Sequence, residues 1–411
     1  MQMRSVILGL ALLAGLSQPA AAIVVDGRLT SSLYNYEALK DSATTATFLR
    51  ANQGLRLDLG RLGSRALSFH TYMQGSTDLS EEANNDPRLR LYHAYFSWKA
   101  GRSEIYLGRQ RISAGAGLGR IDGAKATLRG KDWNLDVYAG PLAPLDQGAG
   151  LGSWSEGSLW GARVRTSRLL GTDLGLSFAR RQRELTPDRD LVRELLSLEG
   201  RRIFRSKHSL YARLDYDQQE TQLYRAEVDG RLAIAPRLSL QANWLRRLPA
   251  VFAGSFFSMF PQEAYQEVGG SLYFQATEQV QLAASFAEVL YTDDNAQRLG
   301  LVLSSGPHYS LGYYRTVGYA RASDGLVGNI YYALGRQLVL NGEVDLATFE
   351  RYEEAEDRDG LATGGVGLNW KPVPGALIEA QVQAMRNPVY SSDLRFLLRG
   401  SWHFFKGEGA P

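Results

Sequence analysis

The sequence predicts an all-β protein: one antiparallel, up-and-down transmembrane β-barrel of about 22 strands (about 18 to 24 fit the pattern), with no plug domain. Three observations predict it. Apolar and polar residues alternate with period two along most of the chain, short connections alternate with longer ones, and tryptophans lie close to the short connections.

The first segment of the chain has the features of a secretory signal peptide. Arg4 precedes the apolar run "SVILGLALLAGLS", and three alanines end at Ala22. The run is shorter than the ~20 apolar residues that a membrane-spanning helix needs. We therefore expect a signal peptide over residues 1–22 and a barrel over residues 23–411. Export and a barrel together predict the outer membrane of a Gram-negative bacterium.

Composition excludes several classes of protein. The chain contains no cysteine, so disulfides, thiolate metal sites and covalent haem attachment are excluded. The 46 Lys and Arg residues nearly balance the 43 Asp and Glu residues, which argues against a basic nucleic-acid-binding surface. We expect no cofactor and no nucleic-acid partner.

Alternation is clear in the segment "YRAEVDGRLAI", residues 224–234. Val228, Leu232 and Ile234 share one face, and the other face is charged. Similar patterns occur at 133–139, 210–215 and 340–346. A soluble β-sandwich also alternates, but a chain this long would then need strands that are apolar on both faces, and few are found. A single closed sheet, apolar towards lipid and polar towards a lumen, fits better.

The connections alternate in length, as expected of a transmembrane barrel with short periplasmic turns and longer external loops. Short ones are predicted near 62–65, 100–103, 130–132, 205–208, 235–237, 277–278, 335–337 and 372–375. Longer ones are predicted near 76–88, 113–121, 141–158, 248–264 and 351–361. An even number of strands places both termini on the periplasmic side.

Aromatic residues support the same architecture. Interface girdles are typical of transmembrane barrels, and we expect one to contain Trp98, Trp133, Trp370 and Trp402. The last strand, with Phe396, Leu398, Trp402 and Phe404 on one face, resembles the C-terminal signal that the barrel-assembly machinery recognises.

One segment, "DLVRELLSLEG" at residues 190–200, is ambiguous. Leu191, Leu195 and Leu198 would form a stripe on a helix, whereas Val192, Glu194, Leu196 and Leu198 alternate as in a strand. We interpret it as a strand, because a helix there would remove two strands from the barrel.

A glycine-rich stretch, "LGRQRISAGAGLGRIDGAKATL" at residues 107–128, raises the question of a phosphate-binding loop. Its glycines are not spaced as in the G-x-G-x-x-G motif of dinucleotide-binding proteins, and the G-K-[ST] of a phosphate-binding P-loop is absent. The residues that follow alternate as in a strand. We predict two strands joined by a loop over "SAGAGLGR", residues 113–120. The stretch also resembles the "GRQ … DG" segment of large outer-membrane porins, including the alginate-export type, in Gly108, Arg109, Gln110, Asp122 and Gly123. This resemblance implies a channel-type barrel.

No catalytic or metal site is predicted. The five histidines, His70, His93, His208, His308 and His403, are isolated, and no G-x-S-x-G motif occurs. The acidic run from Glu353 to Gly360 lacks the ligand spacing of a calcium loop. We interpret it as a solvated external loop and leave open a role in bridging lipopolysaccharide through divalent ions.

Charged side chains on the polar faces carry the functional prediction, because rings of charge commonly set pore selectivity. Their signs are mixed, and cross-strand ion pairs that merely stabilise a polar interior are an equally good interpretation. The predicted lumen residues are Arg109, Arg213, Asp215, Arg225, Glu227, Asp229, Arg231, Glu343, Asp345, Arg395 and Arg399.

Two functions are consistent with the sequence. The first is a porin-like channel for passive diffusion of small hydrophilic solutes, with a constriction from the loops near 141–158 or 248–264; the latter contains Phe252, Phe256, Phe257 and Phe260. The second is a sheath that houses a partner protein, as in porin–cytochrome conduits, because about 22 strands enclose a wide lumen. Any haem would then belong to the partner. Expected contacts are outer-membrane lipid and lipopolysaccharide; a plug protein or a homo-oligomer is left open.

Overall fold

The computed structural model describes residues 23–39, 44–64, 66–82, 88–169, 171–186, 189–205, 207–249, 263–319, 321–350, 358–389 and 392–407. The predicted signal peptide, most of the loop at 248–264 with its phenylalanines, and most of the acidic run lie outside these residues. Among the described residues no helix occurs, so none is long and apolar enough to cross a membrane.

Twenty-two strands form one antiparallel sheet, and the prediction of a barrel of about 22 strands is confirmed. The strands are β1 (Val24–Leu39), β2 (Thr45–Gly60), β3 (Leu67–Asp78), β4 (Arg88–Ala100), β5 (Ser103–Ala114), β6 (Gly117–Arg129), β7 (Trp133–Pro141), β8 (Gly157–Leu169), β9 (Thr172–Thr186), β10 (Arg189–Phe204), β11 (His208–Asp217), β12 (Gln222–Ala235), β13 (Leu238–Arg247), β14 (Tyr265–Gln275), β15 (Val280–Leu290), β16 (Asn295–Ser305), β17 (Tyr309–Gly318), β18 (Ser323–Ala333), β19 (Leu338–Phe349), β20 (Asp359–Trp370), β21 (Ala376–Arg386) and β22 (Asp393–Lys406).

The sheet closes on itself through its first and last strands. β1 pairs with β2 on one side and with β22 on the other, with Val25 opposite Lys406 and Asn35 opposite Phe396. Closure pairs the first strand with the last, so neither is an open edge, as a sheet that crosses a lipid bilayer requires. The ambiguous segment at 190–200 is part of strand β10, as predicted.

The two faces of the sheet differ in chemistry. Exposed leucine, valine, isoleucine and aromatic side chains project outward at alternate positions, as Val228, Leu232 and Ile234 do in β12. The intervening residues face the lumen and include most of the charged side chains. Because each strand has one lipid-facing and one water-facing surface, the described residues form one buried apolar cluster, which lies at the β5–β6 hairpin.

The two ends of the barrel also differ. At one end, the turn end, lie the start of β1, the end of β22 and short connections such as 101–102, 130–132 and 236–237. At the other, the loop end, lie the long connections 142–156 and 248–264. Because transmembrane barrels have short periplasmic turns and longer external loops, the turn end corresponds to the periplasmic side.

One predicted connection is wrong. Residues 113–121 do not form a long loop, because β5 continues to Ala114 and β6 starts at Gly117. Two residues form the turn, and Gly115 adopts the φ of +60° that favours glycine. The glycines of this stretch therefore shape a hairpin. Among the described residues no separate plug domain occupies the lumen.

Candidate functional site

The β5–β6 hairpin leaves the barrel wall at a glycine bend. The pairing of β5 with β4 ends at Arg109, and the pairing of β6 with β7 ends at Ala124. Gly108 and Gly123 face each other across the hairpin at this level, and Gly108 has a φ of +124°. A Cβ on Gly123 would lie 2.6 Å from the Cα of Gly140. Only glycine allows this close backbone approach.

Beyond the bend, the hairpin (residues 109–122) folds into the lumen. The amide of Ala116 at its tip donates a 2.8 Å hydrogen bond to Ser177 Oγ on β9. Arg213 on β11 donates from Nη2 to the carbonyl oxygen of Gly115 at 3.1 Å. Ser177 and Arg213 alternate with lipid-facing leucines and therefore face the lumen. The hairpin thus extends inside the barrel from β5 to β11.

An apolar underside attaches the hairpin to the wall. Ile112, Ala114 and Ile121 pack against Tyr138, Leu142 and Leu159, and these six residues form the buried core cluster of the described structure. Ile112 and Ile121 are completely buried. Burial of a side chain of this size stabilises by about 1.5–3 kcal/mol relative to exposure, so this packing accounts for an inward rather than a solvated position.

A buried ion pair joins the base of the hairpin to the loop at 142–156. Arg109 donates to both carboxylate oxygens of Asp122, from Nε at 2.6 Å and from Nη2 at 2.8 Å. The two side chains are 2% and 4% exposed. Arg109 Nη1 also donates to the carbonyl oxygen of Gly148 at 2.5 Å, and the Gly152 amide donates to Asp122 at 2.7 Å. The loop therefore folds inward with the hairpin.

The opposite face of the hairpin is open to the lumen. It carries Arg111, Ser113 and Leu118, all exposed, and the half-buried Arg120. The guanidinium of Arg120 lies 5.6 Å from the centre of the Tyr92 ring, in a cation–π arrangement. Because Arg109 is neutralised by Asp122, the open face contributes net positive charge at mid-height in the barrel.

The predicted lumen residues on β11 and β12 come together. Arg213 lies opposite Glu227 and Asp215 opposite Arg225, and Arg213 Nε donates to Asp215 at 2.9 Å. Arg225 donates to Glu227. Asp229 and Arg231 lie on the same face, where they line a cavity of about 470 Å³ with Arg163 and Glu199.

The predicted lumen residues on β19 and β22 do not join that group. Glu343 accepts hydrogen bonds from Gln381 and Gln383 on β21, and Asp345 lies on the same face of β19. Arg395 pairs with Asp393 at 2.6 Å, and Arg399 pairs with Glu379. Arg109 is buried at the base of the hairpin and does not line open space. A part in conduction stays a prediction for the other predicted lumen residues.

The four tryptophans of the predicted girdle share one level. Trp98, Trp133, Trp370 and Trp402 are all exposed on the outward face, and each lies within a few residues of the turn end. A ring at this level matches the interface between the hydrocarbon core and the polar headgroups.

Sequence reasoning missed the inward hairpin and its underside. Two signals were present. Ile112 and Ile121 occupy alternation positions that face the lumen, where polar residues are otherwise expected, and Gly108 and Gly123 are the two glycines of the "GRQ … DG" resemblance. That short segment coincides with the bend and the ion pair at the hairpin base. Among the described residues no group of three or more metal-ligating side chains occurs.

Comparison with known proteins shows the fold. No family model and no curated protein matches the chain. The siderophore receptor PirA of Pseudomonas aeruginosa is 12% identical, with 94% of this chain and 81% of that chain covered at a TM-score of 0.61. OccK3 (OpdO) of P. aeruginosa is 12% identical over 96% and 99% of the two chains, at a TM-score of 0.44. The translocation pore of the P pilus usher PapC is 9% identical, with 94% of this chain and 100% of that chain covered, at a TM-score of 0.47.

At these identities the likeness is one of architecture. The PirA match shows that the chain has the fold of an outer-membrane β-barrel, and the closed sheet with its apolar outer face is compatible with a lipid bilayer.

Proposed function

We propose that the protein is a porin-like channel for passive diffusion of small hydrophilic solutes through a charged lumen. The observation that carries this proposal is the inward hairpin, which narrows the barrel from one wall and presents arginines to the open space. A barrel of 22 strands would otherwise enclose a wide hole. The "GRQ … DG" resemblance to large porins of the alginate-export type supports the same function, because its residues form the base of the hairpin.

Single-channel recording of the purified chain alone in a planar bilayer tests this proposal. We expect a stable conductance with discrete steps, because hairpin and loop are fixed by buried contacts rather than by solvent-exposed ones. The absence of any conductance would contradict the channel proposal, since it would mean a lumen closed by its own side chains and loops.

The charge on the hairpin should influence ion preference. Arg111 is exposed on the open face, so Arg111→Glu changes the local charge by two units without removing a packed side chain. We expect the anion-to-cation permeability ratio to fall by about twofold or more, because charges lining a pore set its selectivity. Reversal potentials in a salt gradient measure this ratio.

Arg237→Glu is the matched control, because Arg237 is exposed in the β12–β13 turn at the turn end, away from the hairpin. An equal shift in both variants would show that overall charge, and not the hairpin, determines the preference.

A sheath around a partner protein is the second candidate, and one feature of the lumen favours it. The lumen face of β15–β18 is nearly free of charge at mid-height, with Ala283, Ser285, Gly300, Val302 and Val327 at lumen-facing positions. A wall of small and apolar side chains packs against a second protein more favourably than it contacts water. In the bilayer recording this function predicts very large, irregular conductance from the chain alone.

A further inference from the structure

Charged side chains cluster on the outward face of β17–β21 near the loop end. Arg315 follows Tyr313 on the outward face of β17, and Asp324 lies opposite Arg315 on β18. Arg386, at the end of β21, shares the outward face with Val382. Arg358 reaches the same place from the residues before β20. Elsewhere on these strands the outward face is apolar, so the cluster interrupts the lipid-facing surface at one level.

Hydrogen bonds hold the cluster in a fixed arrangement. Arg358 Nη1 donates to Asp324 Oδ2 at 2.8 Å, and the Tyr313 hydroxyl donates to Asp324 Oδ1 at 2.7 Å. Arg315 Nη1 lies 3.8 Å from the same carboxylate. Glu350 Oε1 lies 3.6 Å from Arg358 Nε. Arg315 and Arg358 thus contact Asp324, and Arg358 also contacts Glu350. Arg386 has no carboxylate partner among the described residues.

An apolar groove continues from this cluster along the barrel wall. A cleft of about 520 Å³ crosses these strands, with Leu326, Leu346 and Ala362 along its floor. Tyr313 and Arg386 lie in the same register row at its two ends, and Asp324 lies on its loop-end side. The floor residues project outward, as the exposed side chains of Leu326 and Leu346 show. The groove therefore has an apolar floor between charged groups, with Asp324 and the arginines that contact it on the loop-end side and Arg386 at the β21 end.

The side chains of the cluster and groove indicate the chemical class of ligand that can bind there. Guanidinium groups bind phosphate oxygens through charge-assisted, often bidentate hydrogen bonds. An apolar floor that faces the bilayer accommodates an acyl chain. The loop end corresponds to the outer side of the membrane, where the lipid of the outer leaflet has its headgroup at this level. A soluble anion would match the arginines and leave the apolar floor without a partner.

We propose that this groove is a binding site for one phosphorylated glycolipid of the outer leaflet, the lipid A portion of lipopolysaccharide. Arg315, Arg358 and Arg386 contact a phosphate, Asp324 and Tyr313 position the first two arginines, and one acyl chain lies over Leu326 and Leu346. This site is on the outside of the barrel and is independent of what passes through the lumen.

Native mass spectrometry of the delipidated full-length barrel in detergent, titrated with bisphosphorylated or dephosphorylated lipid A, tests the site. The variant is Arg315→Gln with Arg386→Gln, which keeps Arg358 as the partner of Asp324. Arg180→Gln is the control, because Arg180 also faces outward and lies 3.5 Å from Glu194, away from the groove. Heat-modifiable migration on gels verifies that each variant is folded.

The expected result is one tightly bound bisphosphorylated lipid A per barrel, with weaker binding of the dephosphorylated form. We expect the double variant to lose affinity by about tenfold or more, since it removes two charge-assisted contacts, and the control to bind like the wild type. Equal binding of both lipid A forms, an equal loss in Arg180→Gln, or equally tight binding of phosphatidylglycerol would each overturn the proposal.

Discussion

Removal of the inward hairpin should enlarge the channel. Replacing residues 109–122 by a two-residue Asn-Gly turn between Gly108 and Gly123 should raise the single-channel conductance by about twofold or more, because pore dimensions determine permeation. The barrel wall should remain intact, since β4 pairs with β5 only up to Arg109 and β7 pairs with β6 only up to Ala124. Type I′ turns favour Asn-Gly, so the connection itself is compatible with a hairpin.

A change in the turn at 218–221 is the matched control. Replacing this β11–β12 connection by Asn-Gly alters the loop end without touching the hairpin, and it should leave conductance near the wild-type value. Heat-modifiable migration and an unchanged β-sheet circular dichroism spectrum would verify assembly of both variants. Wild-type conductance in the folded deletion variant would contradict a constricting role for the hairpin.

Loss of Arg109 should release the hairpin and the loop at 142–156 together. Arg109→Ala leaves the carboxylate of Asp122 buried without its partner, which costs about 3–5 kcal/mol in comparable buried pairs. Because the barrel ladder does not depend on this pair, we expect the cost to appear as local opening rather than as loss of the fold. Hydrogen exchange of peptides spanning 110–122 and 142–152 should become faster by about two orders of magnitude or more, since 1.4 kcal/mol is tenfold in an equilibrium.

Arg399→Ala is the control for this experiment. Arg399 donates to both oxygens of Glu379 at 2.5 and 2.7 Å, which matches the bidentate geometry of the Arg109 pair. The side chains of Arg399 and Glu379 are 42% and 20% exposed on the lumen wall, so loss of this pair should cost only about 0–1 kcal/mol of stability. If exchange in the hairpin peptides were the same in the two variants, the ion pair at Arg109 would not be what holds the hairpin.

Local sequence pattern was sufficient to predict the barrel. In β12 the alternation separates Val228, Leu232 and Ile234 from Arg225, Glu227 and Asp229, and the structure has the same two faces. Side chains of successive residues project to opposite sides of any strand, so each segment by itself reports which face meets lipid and which faces the lumen. The short turns were predictable for a similar reason, because tight connections depend on a few adjacent residues.

The candidate site was only partly predictable. The segment at 107–128 was identified as two strands and as similar to a porin motif, but its tip was predicted to be a long loop, and Arg109 was placed on the open lumen wall. Arg109 donates to Gly148, its partner Asp122 accepts from Gly152, and the tip of the hairpin contacts Ser177 and Arg213. These partners are 30 to 98 residues distant in sequence. Such contacts leave no periodic signal in the segment itself.

Patterns in the sequence were sufficient to predict a closed barrel of about 22 strands, its polar face, and the end that carries the short turns. All three follow from spacings of a few residues. The tertiary structure was needed to show that the hairpin bends inward at Gly108 and Gly123, that Arg109 becomes a buried partner of Asp122, and that Arg315 and Arg358 meet at Asp324 on the outer surface. The hairpin's position depends on the folded sheet, because the loop at 142–156 and strands β9 and β11, which hold it, are 30 to 98 residues distant in sequence.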